Sequence, residues 1–333
     1  MGIEAKVMDL KAAADFIGTG AIETPIFENE IMDRVRRGSL ALQRFKSKPA
    51  TGHPHRYFEQ LAIAAAAAVD PRNLSATASG PTRVERPAFI KAVISQSNLS
   101  LFDKEVTEQQ GQFASVVAQD IDDIVKAVEV KRGQMLWTGT DTSMMAPTTL
   151  EWMGALAQIG TQSPFTSTIA PGASIIDGIK SQVAAMLNNT GFVPEISSIY
   201  INSVLGDYID QEAKAAHIDL KTKEVTAGVT VKYLSTQAGD IPLIMDPYLG
   251  ADTTGKYGFS NPPGGNKNYY AVIMSDNDTE IAVISGKEYN PNPRIFQLGL
   301  TGNLAGQFVA VKFDTLIVKG ATYTHGLVCV NRA

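Results

Sequence analysis

The sequence predicts an α+β fold, and three observations lead there. A long amphipathic helix dominates the first half, a charge-poor middle gives way to alternating helix and strand patterns, and the stretch from Tyr269 to Val330 reads almost wholly as strands. The chain has 333 residues, 44% hydrophobic and 19% charged, enough to bury one large core or two modest ones. No apolar run approaches a membrane span, and residues 1–10 lack the basic start and apolar block of a signal peptide. The single cysteine, Cys329, excludes an intramolecular disulfide and a cysteine-based zinc site, and is expected as a buried thiol in a reducing compartment.

In chain order, the first 45 or so residues carry short apolar patches without a sustained period, so alone they make an arm that needs an outside surface. From Pro49 to Leu101, prolines and glycines recur too often for a long helix. "HRYFEQLAI" and "AFIKAVISQ" read as the two strands of a long hairpin whose Ala-rich and Pro/Ser-rich middle forms the tip. An excursion of this size has no apolar core of its own. The run Ala64–Ala68 reads, on propensity, as a short helical turn.

The helix comes next. Phe113, Val117, Ile121, Ile124, Val125, Val128 and Met135 recur at three- and four-residue steps. Asp103 is the candidate N-cap, Asp122 and Lys126 an i,i+4 pair, Lys131 and Arg132 complements to the C-terminal dipole, and Gly139 the stop. Unbroken from Glu105 to Trp137, such a spine would span about 50 Å, with Gly111 and Gly133 as weak points. Residues 142–176 contain only Glu151 as an ionised side chain, which suits a buried core or a subunit interface. A helix with Ile175, Ile176, Ile179, Val183, Met186 and Leu187 on one face follows. Then come a strand in "EISSIYINS", a helix in "VLGDYIDQEAKAAH", and strands near "EVTAGVTVKYLST" and "IPLIMDPYLG". The tail strands are "YYAVIMS", "EIAVISG", "RIFQLGL", "QFVAVKFDTLIVKG" and "THGLVCV".

The search for chemistry finds no constellation. His53 and His55 flank Pro54 without a partnering acid, so a loop is expected there rather than a metal site. Asp120, Asp122 and Asp123 read as a solvated helix face, and Trp137 and Trp152 as packing residues. "NPPGGNK" and "LTGNLAG" lack the strand-to-helix setting of a phosphate loop and read as turns. No catalytic, cofactor-binding or metal-ligating residue is assigned, and no cofactor is expected. The net charge is −5, yet residues 31–91 carry +7 and the remainder −12. That asymmetry is either a solvated face or a means for one copy's basic segment to lie on another's acidic body. Interleaved aromatics for base stacking are nearly absent, so sequence-specific nucleic-acid binding is not expected.

Arm, extended hairpin, spine, α/β block and β-rich return come in an order that resembles the major capsid proteins of tailed double-stranded DNA bacteriophages, a fold shared with encapsulin shells. The residues that carry it are "PTRVERPAFIKAVISQSNLSLFDKEV", "VKRGQMLWTGT", "ISSIYINSVLGDYI" with "VKYLSTQAGDIPLIMDPYLG", and "FVAVKFDTLIVKGATYTHGLV". The resemblance implies an N-terminal arm over residues 1–44, an extended loop over 45–100, a peripheral domain with the spine over 101–164, an axial domain over 165–287, and C-terminal strands over 288–333 returning to the peripheral domain. It also implies a non-enzymatic protein that self-assembles as pentamers and hexamers into an icosahedral shell around DNA, a virion capsid built in the host cytoplasm. The expected partners are other copies, a scaffolding protein, a portal and decoration proteins, with no membrane. Some members crosslink a loop lysine to an asparagine of another subunit. Lys91, the only lysine between Pro49 and Leu101, sits at the base of the inferred hairpin, so no crosslink is expected. An encapsulin-type compartment shell and a soluble α/β enzyme are the alternatives.

Overall fold

The computed structural model of the protein describes residues 38–72, 79–100, 102, 105–106, 116–189, 192–217, 220–226, 229–277, 279–286, 292–298 and 305–333. They form a five-stranded sheet, a seven-stranded sheet and a two-stranded hairpin. The smaller sheet comprises β1 (Ser47–Pro49), β4 (Lys91–Ser100), β11 (Ile281–Ser285), β12 (Arg294–Leu298) and β13 (Ala305–Val318). β13 is its axis. β4 pairs antiparallel along one side of it, while β12 and then β11 pair along the other, and β1 adds in parallel to β11.

Helix α2 (Val116–Thr138) lies on the inner face of this sheet, because its stripe is what the sheet's inward residues need as cover. Ile124, Val128 and Met135 share one core with Val93, Phe308 and Ala310, closed off by Trp137, Trp152 and α3 (Ala155–Gln162). The helix stops where the sequence places the stop: the Gly139 N–H donates to the Met135 carbonyl at 3.1 Å. A Cβ on Gly139 would stand 2.2 Å from the Trp152 carbonyl oxygen, so only glycine admits that approach. Trp152 Nε1 donates to the same Met135 carbonyl at 2.8 Å.

The larger sheet runs β5 (Thr166–Ile169), β14 (Gly326–Arg332), β10 (Lys267–Met274), β6 (Ser198–Ile201), β9 (Gly239–Met245), β8 (Val229–Thr236) and β7 (Lys221–Thr226). Helices α4 (Ile175–Leu187) and α5 (Ser203–Ala215) supply Ile175, Ile176, Ile179, Val183, Leu205 and Ile209 to one face. Ser174 caps α4 by accepting from the Asp177 N–H, and Asn202 caps α5 by accepting from Val204 N–H. β10 is buried on both faces: Tyr269, Ala271 and Ile273 join the core under α4 and α5, while Tyr270, Val272 and Met274 join the core under α2 and α3. Among the described residues no helix is long and apolar enough to cross a membrane.

The structure departs from the sequence reading at several places. The strand that returns from the hairpin tip is β3 (Thr82–Ala88), paired antiparallel with β2 (His55–Ala62), whereas "AFIKAVISQ" lies mostly in β4 of the smaller sheet. Residues 89–90 break the run, so one apolar stretch serves two sheets. Ala64–Ala68 is exposed and forms no helical turn. Five residues cannot offset the cost of nucleating a helix without a packing surface, and Pro71 follows. The helix is described from Val116, about 34 Å of axis for 23 residues; Asp103, Phe113 and the other expected positions between residues 107 and 115 lie outside the described residues. Arg132 does not complement the helix dipole at the surface but is buried against Asp314 at 2.6 Å. Lys131 pairs with Glu151, and the Asp122–Lys126 pair forms at 2.5 Å.

Residues 1–37 of the expected arm lie outside the described residues. α1 (Leu40–Arg44) is docked on the body: Ser39 Oγ donates to Asp246 at 2.6 Å, Ala41 N–H to the same carboxylate at 3.1 Å, and Arg44 pairs with Asp276 at 2.7 Å. The sheets also cut across linear segments. β11, within 165–287, belongs to the smaller sheet, and β14, within 288–333, belongs to the larger one, where a tight turn after β13 hands the chain from one layer to the other.

Candidate assembly surfaces

The hairpin alternates strictly. Arg56, Phe58, Gln60 and Ala62 face out, while Tyr57 and Glu59 face in and are buried. Tyr57 and Ala88 pack on Ala282, Ile284 and Ile317 of the smaller sheet, which roots the ribbon. Burial, with the Glu59 charge adding, pushes the Tyr57 hydroxyl far above its usual range, so it stays protonated. Polar contacts complete the root: Glu59 pairs with Arg86 and accepts from the Gly320 N–H at 2.5 Å, and the Tyr323 hydroxyl donates to the Leu61 carbonyl. Lys319 lies over the Tyr57 ring at 5.3 Å. Beyond the root the ribbon loses cover, with Phe58 72% and Ile63 75% exposed and residues 62–70 exposed throughout.

A second uncovered surface is the outer face of the smaller sheet. Ile94, Phe296, Leu298 and Phe313 all point away from α2 and are 45–59% exposed. β12 forms the rim of that face and pairs only with β13 among the described residues, leaving a free strand edge. Exposed apolar area joined to an open edge is what a chain buries against another molecule.

The sequence-named candidates are dispersed. The His53 ring sits against Phe89 at 5.6 Å between centroids, and His55 Nδ1 meets the Thr51 hydroxyl at 3.1 Å. Among the described residues no group of three or more His, Cys, Asp or Glu side chains could hold a metal ion. Asp120 accepts from Ser97 at 3.1 Å, whereas Asp122 and Asp123 are exposed. Trp137 and Trp152 are core residues. Gly264 and Gly265 turn through positive φ in "NPPGGNK"; "LTGNLAG" lies mostly outside the described residues. Burial pushes the Cys329 thiol up to about 12, so it is an inert buried group. Lys91 stands at the hairpin base as expected, but its ammonium points inward, donating to the Thr149 carbonyl at 2.5 Å and pairing with buried Asp141 at 3.4 Å.

Sequence reasoning passed over the root contacts and His325. Glu59 and Arg86 fall on inward positions of facing strands, a charged pair where the pattern calls for apolar residues, and that was their one sequence signal. His325 is fully buried in the turn between β13 and β14, and burial lowers its pKa to about 4.

No family model matches the chain, and no curated protein matches it in sequence. Solved structures do match over nearly its whole length. The capsid of cyanophage A-1(L) has a TM-score of 0.66 at 10% identity, covering 94% of this chain and 98% of the other. The capsid of an empty GTA particle has 0.62 at 11% identity, covering 95% and 97%. The holo-SrpI encapsulin complex of Synechococcus elongatus has 0.59 at 8% identity, covering 95% and 94%. With the hairpin, the spine helix and the two sheets in place, this chain has the major capsid protein fold that phage shells and encapsulin share.

Proposed function

We propose that the protein is a structural shell protein, the major capsid protein of a tailed double-stranded DNA phage, which closes as pentamers and hexamers around DNA that it does not read by sequence. The observation that carries this reading is the hairpin: a ribbon rooted by buried contacts that then projects Phe58 and Ile63 uncovered, on a chain with the capsid fold. Such a ribbon gains its cover from a neighbouring copy. Within the proposal, α2 with the smaller sheet forms the peripheral domain and the larger sheet with α4 and α5 the axial domain. Assembly in the host cytoplasm would draw on a scaffolding protein, a portal and decoration proteins. No enzymatic activity is assigned to the chain. Weak contacts repeated in every copy sum to a stable particle.

Negative-stain electron microscopy of the expressed chain, with and without its neighbouring genes, tests this. Icosahedral shells, tubes or hexameric rings are expected, and a monodisperse monomer or dimer under every condition sinks the reading. An encapsulin-type compartment is the second reading, favoured by the match to the SrpI encapsulin over 95% of the chain. Shells purified from the native source would then hold enzyme cargo instead of DNA.

A further inference from the structure

We propose that His325 is an acid-sensitive catch for the hairpin: a second proton on its ring opens the turn over residues 319–325 and frees the ribbon from Glu59 outward, while the two sheets stay folded. The catch works through one peptide group. His325 Nε2 donates to the Lys319 carbonyl at 3.2 Å, and on the other side of the same peptide the Gly320 N–H donates to the Glu59 carboxylate at 2.5 Å. Further along the turn, the Tyr323 hydroxyl donates to the Leu61 carbonyl. Glu59 and Leu61 belong to β2, so the turn grips the ribbon and the imidazole holds the turn. A two-stranded ribbon that loses this grip is marginally stable by itself, so its cross-strand bonds open with it.

The ring is fully buried, and with a proton already engaged at Nε2 a second one must go to Nδ1. Nδ1 is buried and has no hydrogen-bond partner among the described residues. Burial lowers the pKa of His325 to about 4; the Lys319 and Glu280 carbonyls and the Asp276 charge act in the other direction without offsetting it. The Glu280 carbonyl already accepts from the Lys319 N–H at 2.6 Å, and Asp276 is paired with Arg44. Ser163, which donates to the His325 carbonyl at 2.7 Å, brings no charge. On the ribbon side Glu59 pairs with Arg86, and His55 is held low by burial and then by the charge of Lys319, so acid adds a second positive charge beside that lysine. Released to water, His325 titrates near 6.5, so between pH 6.5 and pH 4 the open turn binds more protons than the closed one and falling pH favours opening. Those two values make the open turn about twenty-fold more populated at pH 5 than at pH 7.

Hydrogen exchange on the full chain at pH 7 and pH 5, expressed as protection factors so that the pH dependence of intrinsic exchange drops out, tests this. The amides of residues 59–62 and 319–325 are expected to lose protection about twenty-fold, to stay less protected than those of β10 at both pH values, and to depend little on urea below the unfolding transition. Unchanged protection in these two segments would overturn the catch. So would protection equal to that of β10 with the same urea dependence, since the proton would then act only by unfolding the whole chain. His325→Gln should shrink the loss to within about threefold, whereas His55→Gln, at a half-buried side chain on the ribbon, should leave most of it. A pH response that His55→Gln abolishes would assign the switch to His55 and overturn the role of His325. The wild-type comparison and His55→Gln decide the matter even where His325→Gln does not fold.

Discussion

β10 and β12 are strands of similar aliphatic and aromatic character with opposite fates. Asn268 to Met274 of β10 are all buried, whereas Ile295, Phe296 and Leu298 of β12 are 47–48% exposed. β10 lies inside the larger sheet with cores on both faces, and β12 lies at the rim of the smaller sheet, where Phe296 and Leu298 are on the outer face and even Ile295, opposite the buried Ala310, is half exposed. Strand propensity is satisfied equally in both; burial depends on the layers around them. The difference separates apolar residues that hold this fold together from apolar residues that the single chain leaves uncovered.

The sharpest break of the comparison is Val272→Asp. It places a charge in the core under α2 and α3, should cost at least about 4 kcal/mol, and is expected to abolish folding, as a urea midpoint or loss of soluble protein will report. The next effect lies in the turn where the chain passes from the exposed sheet to the buried one. The folded-state pKa of His325, about 4, is below the ordinary value of 6.5, so between those values the unfolded chain binds more protons and stability falls with falling pH. The loss between pH 7 and pH 5 should be about 2 kcal/mol, and His325→Gln should flatten that slope in denaturant titrations.

A smaller effect is expected at the hairpin root. Glu59→Gln weakens the pairing with Arg86, costs about 1 kcal/mol, and should speed hydrogen exchange of the amides of residues 55–62 more than those of β10. The smallest is Phe296→Asp, which should change the stability of the single chain by less than about 0.5 kcal/mol. Equal destabilisation by Phe296→Asp and Val272→Asp would erase the distinction between the two strands.

Much of this was legible in the residues. The α2 stripe from Ile121 to Met135, its stop at Gly139, the Asp122–Lys126 pair, the apolar face of α4 and all five tail strands stand where periodicity and turn chemistry put them. The hairpin was legible as a hairpin but not in its pairing. "AFIKAVISQ" has the right pattern for either partner, and only the competition between β2 and β13 assigns it. Arg132 read as a complement to the helix dipole, and Lys91 only as the base of the hairpin, because charge alone does not reveal a buried carboxylate more than 45 positions away in sequence. The catch at the hairpin root was invisible for the same reason, since Glu59 and His325 come from segments far apart in the chain.

By itself, then, the sequence determined the spine helix, the two helices of the larger sheet and the five tail strands to within a few residues, because helix and strand periods and turns are local properties. The tertiary structure alone decided which strands share a sheet, that the chain changes sheets between β10 and β11 and again between β13 and β14, and which apolar residues remain uncovered. Those outcomes depend on contacts between residues far apart in the chain, where many pairings satisfy the local pattern and only close packing of the whole selects one.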